Sequence, residues 1–261
     1  MWRVTIYNGE RIKSHEVIVH DDTKEVNIYD STGENVYSKA LHKYNSDTGA
    51  FELQHVDEWL LDGNGEIIKD YKQFGENGNI MMNNMRRKNL GILGDMYDAY
   101  NKNNFFKKSG CLLTSYSIID SFFGGEYDTP DKIDQFADEN GQYYSKYSAN
   151  VIRKNISEDL GYSYSQLKDN NIDNYRSAID FNLGIGENVR DNPIPTGIKF
   201  SRNPRDSHFA VISGARYYAD GTHDYLVRDP GSSKDYRQIL DGKTLKNKRG
   251  PVKEIFWLTK E

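Results

Sequence analysis

Gly110-Cys111-Leu112-Leu113-Thr114-Ser115-Tyr116-Ser117-Ile118-Ile119-Asp120-Ser121-Phe122-Phe123-Gly124-Gly125 is a strongly apolar segment in a polar chain. Its apolar positions cover nearly the whole circumference of a helix, so the spacing predicts a central helix rather than one laid on the surface. The glycine pair is a typical helix stop. Weaker helical patterns follow at 130–139, 148–160 and 172–183. The period then changes to two: residues 194–200, 208–213, 225–228 and 252–258 read as strands. Helices first and a sheet late make this part α+β.

Upstream of the helix the chain reads as β. Residues 2–7, 15–20 and 25–29 alternate or run β-branched, separated by turn clusters at Asn8-Gly9, Asp21-Asp22 and Ser31-Thr32-Gly33. Further strand-like text lies near Val36 and over 51–56, before a turn at Asp62-Gly63-Asn64-Gly65. Residues 74–89 are rich in Gly, Asn and Met, and a helical piece is expected at 90–100. The expected organisation is a small β-rich module at 1–75, a linker at 76–92 and a main domain at 93–261.

The chain has 261 residues, 28% of them charged, yet 13% are aromatic, which a disordered chain would lack. The 34 basic and 39 acidic residues give a net charge of −5 with no like-charge block, so no nucleic-acid footprint is expected. No apolar run approaches the roughly 20 residues that span a bilayer, so no membrane insertion is expected. Residues 1–10 contain neither an apolar core nor a small-residue cleavage site, so no secretory signal is expected. A single cysteine, Cys111, excludes an intrachain disulfide framework and an all-cysteine metal site.

Several short matches fail on inspection. His15-Glu16-Val17-Ile18-Val19-His20 spaces its histidines five apart, in a strand pattern that sends them to opposite faces. Asp62-Gly63-Asn64-Gly65-Glu66-Ile67 resembles the middle of a calcium loop, but positions 1 and 12 would be Leu60 and Tyr71. Gly242-Lys243-Thr244 ends like a phosphate loop, with Arg237 where the leading glycine must stand. No metal and no cofactor is expected.

One constellation survives: Cys111, His208 and Asp229. A thiol at a helix start feels the helix dipole and unpaired backbone N–H groups, which favour its ionised form and can donate to an oxyanion. A buried filler role is the alternative for a lone cysteine. His208 opens a strand and Asp229 ends one. With Asp220-Gly221 near the middle of the connection, a roughly symmetric hairpin brings both to the same end of adjacent strands. A carboxylate can there orient an imidazole whose other nitrogen faces the thiol, which implies acyl transfer through a thioester.

These residues carry a resemblance. The run 110–120, closed by Phe123-Gly124-Gly125, resembles the nucleophile helix of C39-like cysteine peptidases of the papain-like superfamily. Asn192-Pro193-Ile194-Pro195-Thr196-Gly197-Ile198 is similar to the strand before their catalytic histidine. His208-Phe209-Ala210-Val211-Ile212-Ser213-Gly214 and Tyr225-Leu226-Val227-Arg228-Asp229-Pro230-Gly231 resemble their histidine and Asp-Pro strands. The likeness covers about residues 95–258. It implies a papain-like cysteine peptidase fold, with the nucleophile helix packed on the late antiparallel sheet and the β-rich module in front. It also implies Cys111 as nucleophile, His208 as base and then acid, and Asp229 as orienting group. One departure stands out: the family's Gln before the cysteine is missing, with no Gln between Gln73 and Cys111. Among Asn101, Asn103 and Asn104, Asn104 is the first choice to complete the oxyanion hole.

The expected function is cysteine-dependent hydrolysis of peptide bonds, with bacterial or phage peptidoglycan taken ahead of general or processing proteolysis. The β module would bind wall or substrate, act as a pro-region, or serve as a packing extension. Localisation is expected to be cytoplasmic at synthesis, with action at the wall after release. A transglutaminase-like enzyme shares the Cys, His, Asp order but usually has a much shorter Cys-to-His interval. A degenerate papain-like binding protein is the non-enzymatic alternative.

Overall fold

The computed structural model describes residues 15–20, 22–30, 36–71, 110–143, 151–187, 189–203, 206–231 and 238–260. The expected strand at 2–7, the linker at 76–92, the helical piece at 90–100 and Asn104 lie outside the described residues.

Four strands open the described chain: β1 (His15–His20), β2 (Glu25–Asp30), β3 (Val36–Asn45) and β4 (Ala50–Leu60). Helix α1 (Cys111–Phe122) follows, then α2 (Pro130–Glu139), α3 (Arg153–Asp159), β5 (Ser163–Leu167) and α4 (Ile172–Leu183). The chain ends in β6 (Thr196–Asn203), β7 (Asp206–Tyr218), β8 (His223–Arg228), the short β9 (Ile239–Leu240) and β10 (Lys246–Asn247), and β11 (Gly250–Thr259). The protein is α+β. All strand pairings are antiparallel, and the main path runs β1-β2-β3-β4-β7-β6-β11-β10, with β5 beside β11 and β8 between β7 and β9.

The period of two divides the core. Along β7, Phe209 and Val211 pack on one face with Phe256, Leu258 and the apolar side chains of α1, α2 and α3. Ala210 and Ile212 point the other way, to Phe200, Tyr225, Val227 and Ile255, and to Tyr175, Ile179 and Leu183 of α4. A strand covered on both faces explains why 209–212 reads as an unbroken apolar run.

Helix α1 is buried along its length, from Cys111 to Ser121, hydroxyl side chains included. Those hydroxyls bond back into the helix. Thr114 Oγ1 donates to the Gly110 carbonyl at 2.9 Å, Ser115 Oγ to that of Cys111 at 2.8 Å and Ser117 Oγ to that of Leu113 at 3.1 Å. Burial therefore leaves these groups satisfied. Phe123 caps the helix, and Gly124 takes the left-handed conformation (φ 64°) that ends it.

The amino-terminal strands continue the same sheet. β4 pairs with β7 from His55 opposite Tyr218 to Trp59 opposite Gly214. Across this seam the Arg216 guanidinium donates to both carboxylate oxygens of buried Asp57, at 2.6 and 2.7 Å. A Cβ at Gly214 would overlap the Glu58 carbonyl oxygen, so only glycine lets the two backbones approach this closely. The Asp62–Ile67 segment is a turn in which Asp62 Oδ1 accepts from the amides of Asn64 and Glu66.

Candidate active site

Helix α1 begins at Cys111, with Gly110 as its cap and no side chain capping the first turn. Gly110 contributes no side chain of its own, so the early backbone N–H groups keep their partial positive charge beside the sulfur. Cys111 is buried, 7% exposed, among the side chains of the first core cluster.

β7 carries His208 near its start, and Asp229 lies one residue past the end of β8. The hairpin turns tightly at Asp220-Gly221, where Tyr218 N–H donates to the Thr222 carbonyl at 2.9 Å and Gly221 has φ 83°. Pairing runs back to Val211 opposite Arg228, with a bulge between Ile212 and Gly214. His208 and Asp229 thus lie just past the paired residues, and the imidazole Nε2 reaches the Asp229 carboxylate, donating to Oδ1 at 2.6 Å. An ionised carboxylate can only accept, so the proton of this bond sits on Nε2. Nδ1 is not engaged by the carboxylate, and the Cys111 sulfur is close enough to the ring to favour its charged form. The structure joins His208 to Asp229 directly, and Cys111 at the start of α1 acts on the same ring.

Electrostatics follow from that placement. Burial disfavours a charged imidazole, but the Asp229 carboxylate and the Cys111 sulfur outweigh it and hold His208 up to about 9. Asp229 is 0% exposed. Burial alone would favour its neutral acid, yet the His208 ring and Arg249 take it down to about 2.

Two partners of Asp229 were not legible in the sequence. Arg249 Nε donates to Oδ2 at 2.9 Å, and its Nη2 donates to Oδ1 at 3.3 Å. The Gly231 N–H donates to Oδ1 at 2.7 Å. Arg249 sits in the turn before β11, twenty residues from Asp229, and no local pattern links the two. Asp-Pro-Gly, by contrast, signals the turn in which the Gly231 amide folds back on its carboxylate. A Cβ at Gly231 would stand 2.9 Å from Cε1 of His208 and overlap Arg249, so this glycine lets the ring and the guanidinium close around Asp229.

Among the described residues no group of three or more His, Cys, Asp or Glu side chains could share a metal ion. No helix among them is long and apolar enough to cross a membrane. A scan against models of known protein families and searches among curated proteins and solved structures give no match to the chain.

Proposed function

We propose that the protein is a cysteine-dependent amide hydrolase with a papain-like arrangement, cutting peptide bonds, and that the peptides of bacterial cell wall are its first substrate class. The observation that carries this reading is the His208 imidazole bonded through Nε2 to buried Asp229 at 2.6 Å, with Cys111 at the start of α1 as the neighbour whose sulfur favours the charged ring.

The chemistry runs in two halves. His208 takes the thiol proton as the sulfur attacks the carbonyl carbon, and the oxyanion that forms is received by backbone N–H groups at the start of α1. His208 then passes its proton to the leaving amine, leaving a thioester. Water, deprotonated by His208, attacks the thioester, and the thiol leaves with its proton restored. Asp229 stays ionised throughout, fixing the tautomer and stabilising the imidazolium. Arg249 and the Gly231 amide hold that carboxylate in place.

Incubation with purified sacculi and, separately, with casein tests the reading. New amino termini are expected from sacculi with the wild type and not with Cys111→Ala. Release from casein alone would replace the wall with general proteolysis, and release from neither would remove the hydrolase reading.

A further inference from the structure

A second site lies on the same face of the sheet as α1, away from the thiol. We propose that the cleft between β3–β4 and β7–β8 binds a small carboxylate ligand, whose charged end is received by Arg228 and Ser213.

The cleft has a volume of about 570 Å³, within the range of pockets that hold small organic ligands. Register puts its lining on one face: Lys39 is opposite Asp57, Asp57 opposite Arg216, Trp59 opposite Gly214, and Gly214 opposite Leu226. Arg228 is two residues on from Leu226 and so faces the same way. Ser213 is the extra residue of the β7 bulge, a device that re-aims a side chain. Ser213 is five residues along β7 from His208, roughly 17 Å at strand rise, so the cleft is a site distinct from the thiol.

Two polar atoms in this cleft have no hydrogen-bond partner among the described residues. Ser213 is 0% exposed and its Oγ has no hydrogen-bond partner among the described residues. Nor does the buried Nε of Arg228. The Arg228 guanidinium meets Asp70 through Nη1, at 3.7 Å, too long for a hydrogen bond. A buried donor without an acceptor costs about 1–3 kcal/mol, and an acceptor placed between this hydroxyl and this guanidinium would recover it.

The surroundings choose the acceptor. Among the described residues Lys39, Arg216 and Arg228 line the cleft with the carboxylate of Asp57, and Asp70 stands 3.7 Å from Arg228, so cations outnumber carboxylates and an anion is favoured. Arg216 is already engaged by both oxygens of Asp57. That carboxylate in the wall opposes a dianion such as phosphate, while a monoanionic carboxylate matches one N–H and one O–H donor. Trp59, Leu226 and Ile239 supply apolar wall, so the rest of the ligand is apolar. An N-acylated apolar amino acid with a free carboxylate has this chemistry.

N-acetyl-leucine, its uncharged twin N-acetyl-leucinamide and inorganic phosphate are titrated into the full chain carrying Cys111→Ala, following the arginine Nε–H signals by NMR. The acid is expected to saturate at millimolar concentration and to shift the signal that Arg228→Gln removes. The amide should bind about tenfold more weakly, about 1.4 kcal/mol, and phosphate should not compete. Arg228→Gln and, independently, Ser213→Ala should each weaken the acid several-fold. Equal binding of acid and amide, displacement by phosphate, no saturation by ~20 mM, or unchanged affinity in Ser213→Ala would each overturn the proposal. Because binding is read without turnover, its failure is separate from failure of the hydrolase reading.

Discussion

Asp229 is the residue on which the candidate site turns: a carboxylate with no exposure that accepts from an imidazole, a guanidinium and a backbone amide. Removing one partner from such a buried charge is costly, so Arg249→Met should lower stability by about 3 kcal/mol in urea unfolding. It should also raise the Asp229 carboxyl towards its ordinary value, because one of the two cations that depress it is gone. Asp229→Asn should let the His208 imidazole fall from about 9 towards 6.5, as burial is then opposed by the sulfur without the carboxylate. NMR titration of the ring reads this directly. The sign for stability follows from both groups. The His208 contribution is complete below pH 6.5 and is lost as pH rises through about 9. The Asp229 contribution is present above about 3.8 and is lost as pH falls towards 2. Urea unfolding midpoints should therefore form a plateau between these limits and decline on both sides.

At the level of elements, α1 and the β7–β8 hairpin carry strong local signals, and α2 and α4 weaker helical ones. For α1 that signal is all-round apolarity with a Gly-Gly stop. For α2 it is Pro130 in the first turn, and for the hairpin Asp-Gly between two apolar runs. β5 was not foreseen: Ser163-Tyr-Ser-Gln-Leu167 has no clear alternation and is a strand because β11 offers it an edge. β7 also extends well beyond the expected 208–213, because its distal half pairs with β4. That partnership depends on tertiary contact and leaves no local mark, except for Gly214. Gly214→Ala should cost about 1–3 kcal/mol through collision with the Glu58 carbonyl. The loss should show as faster amide exchange in residues 214–218, with little change in the ring titration of His208.

At the largest scale, the described residues form a sheet covered by helices, with the candidate site at one end of the β7–β8 hairpin and the strands β1–β4 hydrogen-bonded onto the hairpin's other half. The sequence could pair His208 with Asp229 because the symmetry of one hairpin is a local quantity. It could not locate Arg249, the β4–β7 seam or the cleft beside it, which exist only once distant strands meet. Deleting residues 1–62 should expose the β7 edge and uncover core residues that pack on Leu60. The truncated chain is expected to aggregate, which size-exclusion chromatography would register. The most direct test of the central claim is the rate of Cys111 alkylation by iodoacetamide from pH 5 to 10, in wild type and His208→Ala. The account predicts a wild-type rate at pH 7 about tenfold or more above the variant, with the two converging above about pH 9, where His208 loses its charge. Superimposable profiles, both rising as an ordinary thiol titrates, would contradict it.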